Sequence, residues 1–168
     1  MSENGDHSYI YLLHGKGGSP NGSVLQLENE LRPRLRGAEF ERILMPHSDP
    51  NVLAEVSVEF LRQRELARGA TVIGVSLGGL VAAKLQEDDG RDDLRVICVS
   101  SPTWADDVRL ARKRPNRIAI YGTYDDVIAG RTEEWPQLAK AHEVDWLTHD
   151  TDAHKVRLGE LIAGWVAP

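Results

Sequence analysis

A chain with a single cysteine cannot close a disulfide on itself, and Cys98 is the only one among these 168 residues. It lies in RVICVSS, where it reads as a buried strand thiol rather than a nucleophile. No apolar run approaches the roughly 20 residues of a membrane span. The opening MSENGDHS lacks the basic and then apolar segments of a secretory signal, so the cytoplasm is the expected compartment. Basic residues are also in short supply. Lys and Arg number 20 against 26 Asp and Glu, a net charge of −6. That balance argues against a general binder of nucleic acid or anionic membrane, which needs clustered cations. Internal repeats, low-complexity tracts and linkers are missing as well. What is present is ordinary for a globular chain, with 41% hydrophobic and 27% charged residues. One domain over residues 1–168 is expected.

Short apolar runs alternate with helix-like segments. The expected strands are YIYLL (9–13), FERILM (40–45), TVIGV (71–75), LRVICVS (94–100), RIAIYG (117–122) and VDWLTH (144–149). Helical spacing joins Leu25, Leu27, Leu31 and Leu35, and then Val52, Val56, Phe60, Leu61 and Leu66. Further helices are expected over 77–86, around Trp135 and Leu138, and over 156–166, with one short helix in 101–116. This alternation implies an α/β fold: a doubly wound, mostly parallel six-stranded sheet with helices on both faces. Right-handed crossovers put the strand C-terminal ends on one edge, where sites in such sheets lie. A functional residue after one strand should therefore find its partners after later ones.

GVSLG (74–78) satisfies G-x-S-x-G between an expected strand and helix. A strand that turns at once into a helix strains its corner residue, and small neighbours let both elements pass closely. Ser76 would then stand above the sheet at a helix N-terminus, where free N–H groups and the helix dipole stabilise developing negative charge. The rival dinucleotide fingerprint places Ser76 where a Cβ obstructs the pyrophosphate, and the next strand ends VSSP without the required acid.

The first strand runs into LLHGKGGSP (12–20), whose glycines permit a tight turn. The N–H groups of Lys16 and Leu77 would make a two-donor oxyanion hole. No phosphate-loop motif can be read there, and the Lys16 ammonium is expected to be solvated. His14 is expected to be structural. After the fifth strand, Asp125 and Asp126 both stand where a carboxylate would orient a histidine; Asp106 and Asp107 are the fallback. After the sixth, THDTDAHKV (148–156) offers His149, closing the strand, and His154, in the loop beyond. A base that swings between hydroxyl and leaving group fits the loop position better, which favours His154. His149, Asp150, Asp152 and His154 match no metal-binding spacing. His7, His47 and His142 have no supporting neighbours.

The order Ser, Asp, His is the one found in α/β-hydrolases. LLHGKGGSP, GVSLGG, GTYDDVI and DAHKV together resemble the α/β-hydrolase superfamily along nearly the whole chain, most of all its small, lid-less serine esterases of the YqiA-like type. The resemblance implies Ser76 as nucleophile, His154 as base and Asp125, third after Gly122, as acid. Ala153 stands where glycine is common, and Ile128 departs from the usual Val-Pro ending. The implied activity is hydrolysis of a small ester or thioester with no cofactor and no metal. Pro102, Trp104 and Val108 are candidates for an acyl pocket in an open site, although Trp104 could equally be packed core. Two other classes remain: a non-catalytic interaction module on the same fold, and a peptidase or thioesterase using the same residues. The sequence leaves the oligomeric state open.

Overall fold

A computed structural model describes residues 8–166; His7 lies outside them. Six strands form one all-parallel sheet: β1 (Ser8–Leu13), β2 (Ala38–Ile43), β3 (Thr71–Val75), β4 (Arg95–Val99), β7 (Arg117–Gly122) and β8 (Lys140–Val144). Their order is β2-β1-β3-β4-β7-β8. The chain leaves β1 for one side, then returns to place β3 on the other. The point where direction reverses lies between β1 and β3, and there the crossover loops diverge and open a crevice above the strand ends.

Side chains alternate along the strands as a two-sided sheet requires. Ile10 and Leu12 of β1, Ile73 and Val75 of β3 and Ile97 and Val99 of β4 enter one core. Tyr11, Leu13, Val72, Val96 and Cys98 enter the other. Helices α1 (Ser23–Leu31) and α5 (Lys155–Val166) cover the first face, through Val24, Leu27, Leu158 and Ile162. Helices α2 (Ala54–Arg64) and α3 (Leu77–Asp88) cover the second. Helix α3 follows the serine corner and is the most enclosed, with ten of its 12 residues buried. Helix α4 (Trp135–Leu138) is a single turn.

Two expectations are corrected. The segment 101–116 holds a two-stranded antiparallel ladder, β5 (Trp104–Ala105) with β6 (Val108–Arg109), in place of a short helix. Asp106, at positive φ, turns the hairpin, and its carboxylate accepts the Ala54 N–H at the start of α2 at 2.8 Å. The sixth strand of the sheet is KAHEV (140–144), not VDWLTH (144–149). Pairing of Ile118–Gly122 with Lys140–Val144 extends the ladder only to Val144, so Asp145 to His149 form a loop above the sheet edge. No helix among the described residues is long and apolar enough to cross a membrane.

Candidate active site

Ser76 takes φ 55° and ψ −123° between β3 and α3, a conformation that costs an L-residue energy and persists only where the surroundings enforce it. They do so by contact. A Cβ on Gly74 would lie 2.3 Å from the Gly79 nitrogen, and one on Gly78 would lie 2.5 Å from the Leu13 carbonyl oxygen. The two glycines of G-x-S-x-G thus let strand, helix and the end of β1 share one corner. The Ser76 N–H is held by the Val99 carbonyl at 2.7 Å, and Ser76 Oγ faces the crevice.

The partner of that hydroxyl is His149. Ser76 Oγ and His149 Nε2 are 3.1 Å apart, and His149 Nδ1 donates to Asp125 Oδ2 at 2.8 Å. A carboxylate only accepts, so the Nδ1 proton is fixed by its partner and Nε2 is left to accept the serine proton. The second oxygen of Asp125 accepts the Val127 N–H at 3.0 Å. With its side chain fully enclosed while the His149 side chain is 26% exposed, Asp125 holds the ring from below.

The sequence favours His154 for this place, and the structure puts it elsewhere. Its Nε2 lies 3.3 Å from Thr148 Oγ1, and its ring tilts against Trp146 with centroids 5.8 Å apart. Because β8 ends at Val144, His149 occupies the loop position that the misplaced strand had denied it. Asp126 is exposed, whereas Asp125 is turned inward. Asp106 caps α2, and Asp107 is exposed. Among the described residues no three His, Cys, Asp or Glu side chains are grouped to hold a metal ion.

The turn after β1 comes up beside the corner. A Cβ on Gly15 would sit 3.0 Å from Ser76 Cβ. Neither the Lys16 N–H nor the Leu77 N–H has an acceptor among the described residues, and Leu77 opens α3, where such N–H groups are free for a ligand. Both residues line the same cavity as Ser76 and His149, about 730 Å³ in volume. Its apolar wall includes Pro102, Trp104 and Ile128. Val108 is buried in the core instead. Trp104 is half-buried, with the guanidinium groups of Arg109 and Arg131 each 5.3 Å from its ring centre. Cys98 is enclosed, and burial pushes its thiol up to about 12, which leaves it unreactive.

The sequence points to no site role for His14 or His47. Both are buried beneath the β1 turn, their rings 5.0 Å apart edge to face. Burial lowers both, His47 to about 4. The position of His47, just past the end of β2 on the site's edge, was the signal available. His142 stacks on Trp165 at 4.7 Å, away from the crevice.

No protein-family model and no curated protein matches the sequence. Solved structures do match over nearly all of its length. A serine hydrolase homologue from Coxiella burnetii is 17% identical, with 95% of this chain and 85% of that one aligned at a TM-score of 0.70. An α/β-hydrolase enzyme from a metagenome of lagoon sediments at Mar Chica, Morocco, is 17% identical over 95% and 90%, with a TM-score of 0.72. The ydeN gene product of B. subtilis is 17% identical over 96% and 100%, at 0.69. With its sheet order, its serine corner and these superpositions together, the chain has the α/β-hydrolase fold.

Proposed function

We propose that the protein is a serine hydrolase that cleaves a small carboxylic ester or thioester through an acyl-enzyme on Ser76. The observation that carries this reading is the unbroken chain from Ser76 Oγ through His149 to Asp125, set beside two unoccupied backbone donors. His149 Nε2 accepts the serine proton as Oγ attacks the carbonyl carbon. The N–H groups of Lys16 and Leu77 receive the oxyanion; one such donor is typically worth about 10²–10³ in rate. The protonated imidazole, steadied by Asp125, passes its proton to the leaving alcohol or thiol. Water then attacks the acyl carbon as His149 takes its proton. His149 passes that proton to Ser76 Oγ as the C–O bond breaks and the acid leaves. No cofactor takes part in these steps.

The cavity volume of about 730 Å³ falls in the range of small-molecule sites. Pro102, Trp104 and Ile128 offer an apolar wall for the acyl group. The test is intact mass after exposure to a fluorophosphonate, with wild type and Ser76→Ala side by side. The reading expects one adduct on the wild type and none on the variant. A folded wild type that takes no adduct would sink it and leave a binding module on this fold.

A further inference from the structure

The turn that carries Lys16 is held from outside itself, and the holder is His47. His47 Nε2 donates to the His14 carbonyl at 2.8 Å, while the Gly17 N–H donates to the His47 carbonyl at 2.8 Å. One residue thus clasps the turn at both ends. The ring of His47 is fixed in its turn, because Ser57 Oγ on α2 lies 2.8 Å from Nδ1. A carbonyl only accepts, so His47 carries its proton on Nε2 and Nδ1 accepts from the serine.

His14 completes the arrangement. The Met45 N–H donates to its Nε2 at 2.9 Å, so its proton is on Nδ1, which donates to the Gly15 carbonyl at 2.8 Å. Gly18 N–H reaches the same carbonyl at 3.0 Å. In a planar trans peptide the C=O of Gly15 and the N–H of Lys16 point in opposite directions. Holding that carbonyl therefore aims the Lys16 N–H. The His14 carbonyl held by His47 also abuts the serine corner, since a Cβ on Gly78 would lie 2.7 Å from it.

We infer that His47, relayed through His14, is a positioning residue that aims the Lys16 N–H at the oxyanion formed on Ser76. It touches no reacting atom. The inference rests on the proposed serine chemistry, and it names the group that sets the geometry of the oxyanion site. A displacement of about 1 Å at such a donor costs on the order of 10²-fold in rate.

The experiment compares wild type, His47→Leu, His47→Gln and Ser57→Ala in ester hydrolysis, in inhibition by an alkyl boronic acid, and in amide hydrogen exchange at Gly17. Leucine removes the donor, whereas the glutamine amide N–H can still reach the His14 carbonyl. The expected result for His47→Leu is a kcat lower by about 10²-fold with KM within about threefold. Boronate binding should weaken in parallel, and Gly17 exchange should quicken. His47→Gln should recover at least tenfold of the lost kcat. Ser57→Ala keeps the imidazole and covers the case in which the leucine variant does not fold; its kcat should fall about tenfold. Wild-type values of kcat and boronate affinity in His47→Leu, or in Ser57→Ala where the leucine variant does not fold, would overturn the inference. A wild type that hydrolyses no ester would instead count against the serine chemistry. Gly17 exchange then decides the brace alone, and exchange unchanged in the variants overturns it.

Discussion

Gly122 and the Leu147 carbonyl are packed so closely that a Cβ on the glycine would lie 1.8 Å from that oxygen. Gly122 closes β7, and Leu147 lies in the loop two residues before His149. The missing side chain is what lets the histidine loop fold back over the end of the sheet. Gly122→Ala pushes against backbone, which cannot rotate away. Overpacking of this kind costs about 1–3 kcal/mol, and more when backbone must move. The expected outcome is a lower melting temperature together with slower fluorophosphonate labelling of Ser76. A variant as stable and as reactive as wild type would show that the loop does not depend on this contact.

The two histidines of 148–156 can be told apart by substitution. His149→Ala removes the group bonded to both Ser76 and Asp125. Turnover should fall by roughly six orders of magnitude, the scale for loss of a serine enzyme's base. His154→Ala loses a contact to Thr148 and a ring neighbour, and its kcat/KM should stay within about threefold of wild type. Steady-state kinetics on a p-nitrophenyl ester, with both variants at matched purity, decide the matter. Equal losses would contradict the geometry.

Stability should depend on pH through the buried histidines. Burial is the main cause that lowers His47 from 6.5 to about 4 and His14 in the same direction. Between those two values the unfolded chain binds a proton at His47 that the folded molecule does not. The contribution is thus fully present above pH 6.5 and is lost as pH falls toward 4. For His47 it amounts to roughly 3 kcal/mol. Urea midpoints measured from pH 7.5 to 4 should decline, and less steeply in His47→Leu. Parallel declines in the two proteins would assign the slope to other groups.

Arg117 is fully enclosed at the start of β7. Its guanidinium donates to the carbonyls of Ala83, Leu138 and Arg112 and to Gln86 Oε1, with Glu87 3.7 Å away. Arg117→Met fills much of the space but strips four acceptors of a donor, in a site closed to water. A loss of about 3–5 kcal/mol is expected, the range for breaking a buried charged pair. Chemical denaturation reads it directly, and a change under about 1 kcal/mol would mean that the acceptors find other partners.

Much of this molecule could be read from residues that obey one rule at a time. Thr71–Val75 is rich in β-branched and apolar residues and runs straight into the serine corner, and it forms β3 with those bounds. GVSLG packs as its small residues demanded. Two readings failed where rules compete. KAHEV alternates weakly and carries three polar side chains, whereas VDWLTH has the bulk of a strand. Yet the edge position beside β7 tolerates the polar segment, and Leu147 is buried as a loop residue. The choice between His149 and His154 followed from that strand, so one error of register carried over to the site. In 101–116 a hairpin replaces a helix because Asp106 adopts positive φ and caps α2, a contact 52 residues away in sequence that no local pattern contains. For His47 the sequence shows only a place on the site's edge, because its hydrogen-bond partners lie on two other elements.

The sheet order has a consequence for synthesis. From β3 onward each strand joins the outer side of the one before it, β4, then β7, then β8. Ser76 leaves the ribosome long before the residues that pair with its hydroxyl, because a chain is made from its N-terminus at about 5–20 residues per second. The serine corner and β1 are both made early, whereas His149 is made only after β8. Through most of its synthesis the nascent chain therefore holds Ser76 without the imidazole that its hydroxyl meets in the folded molecule.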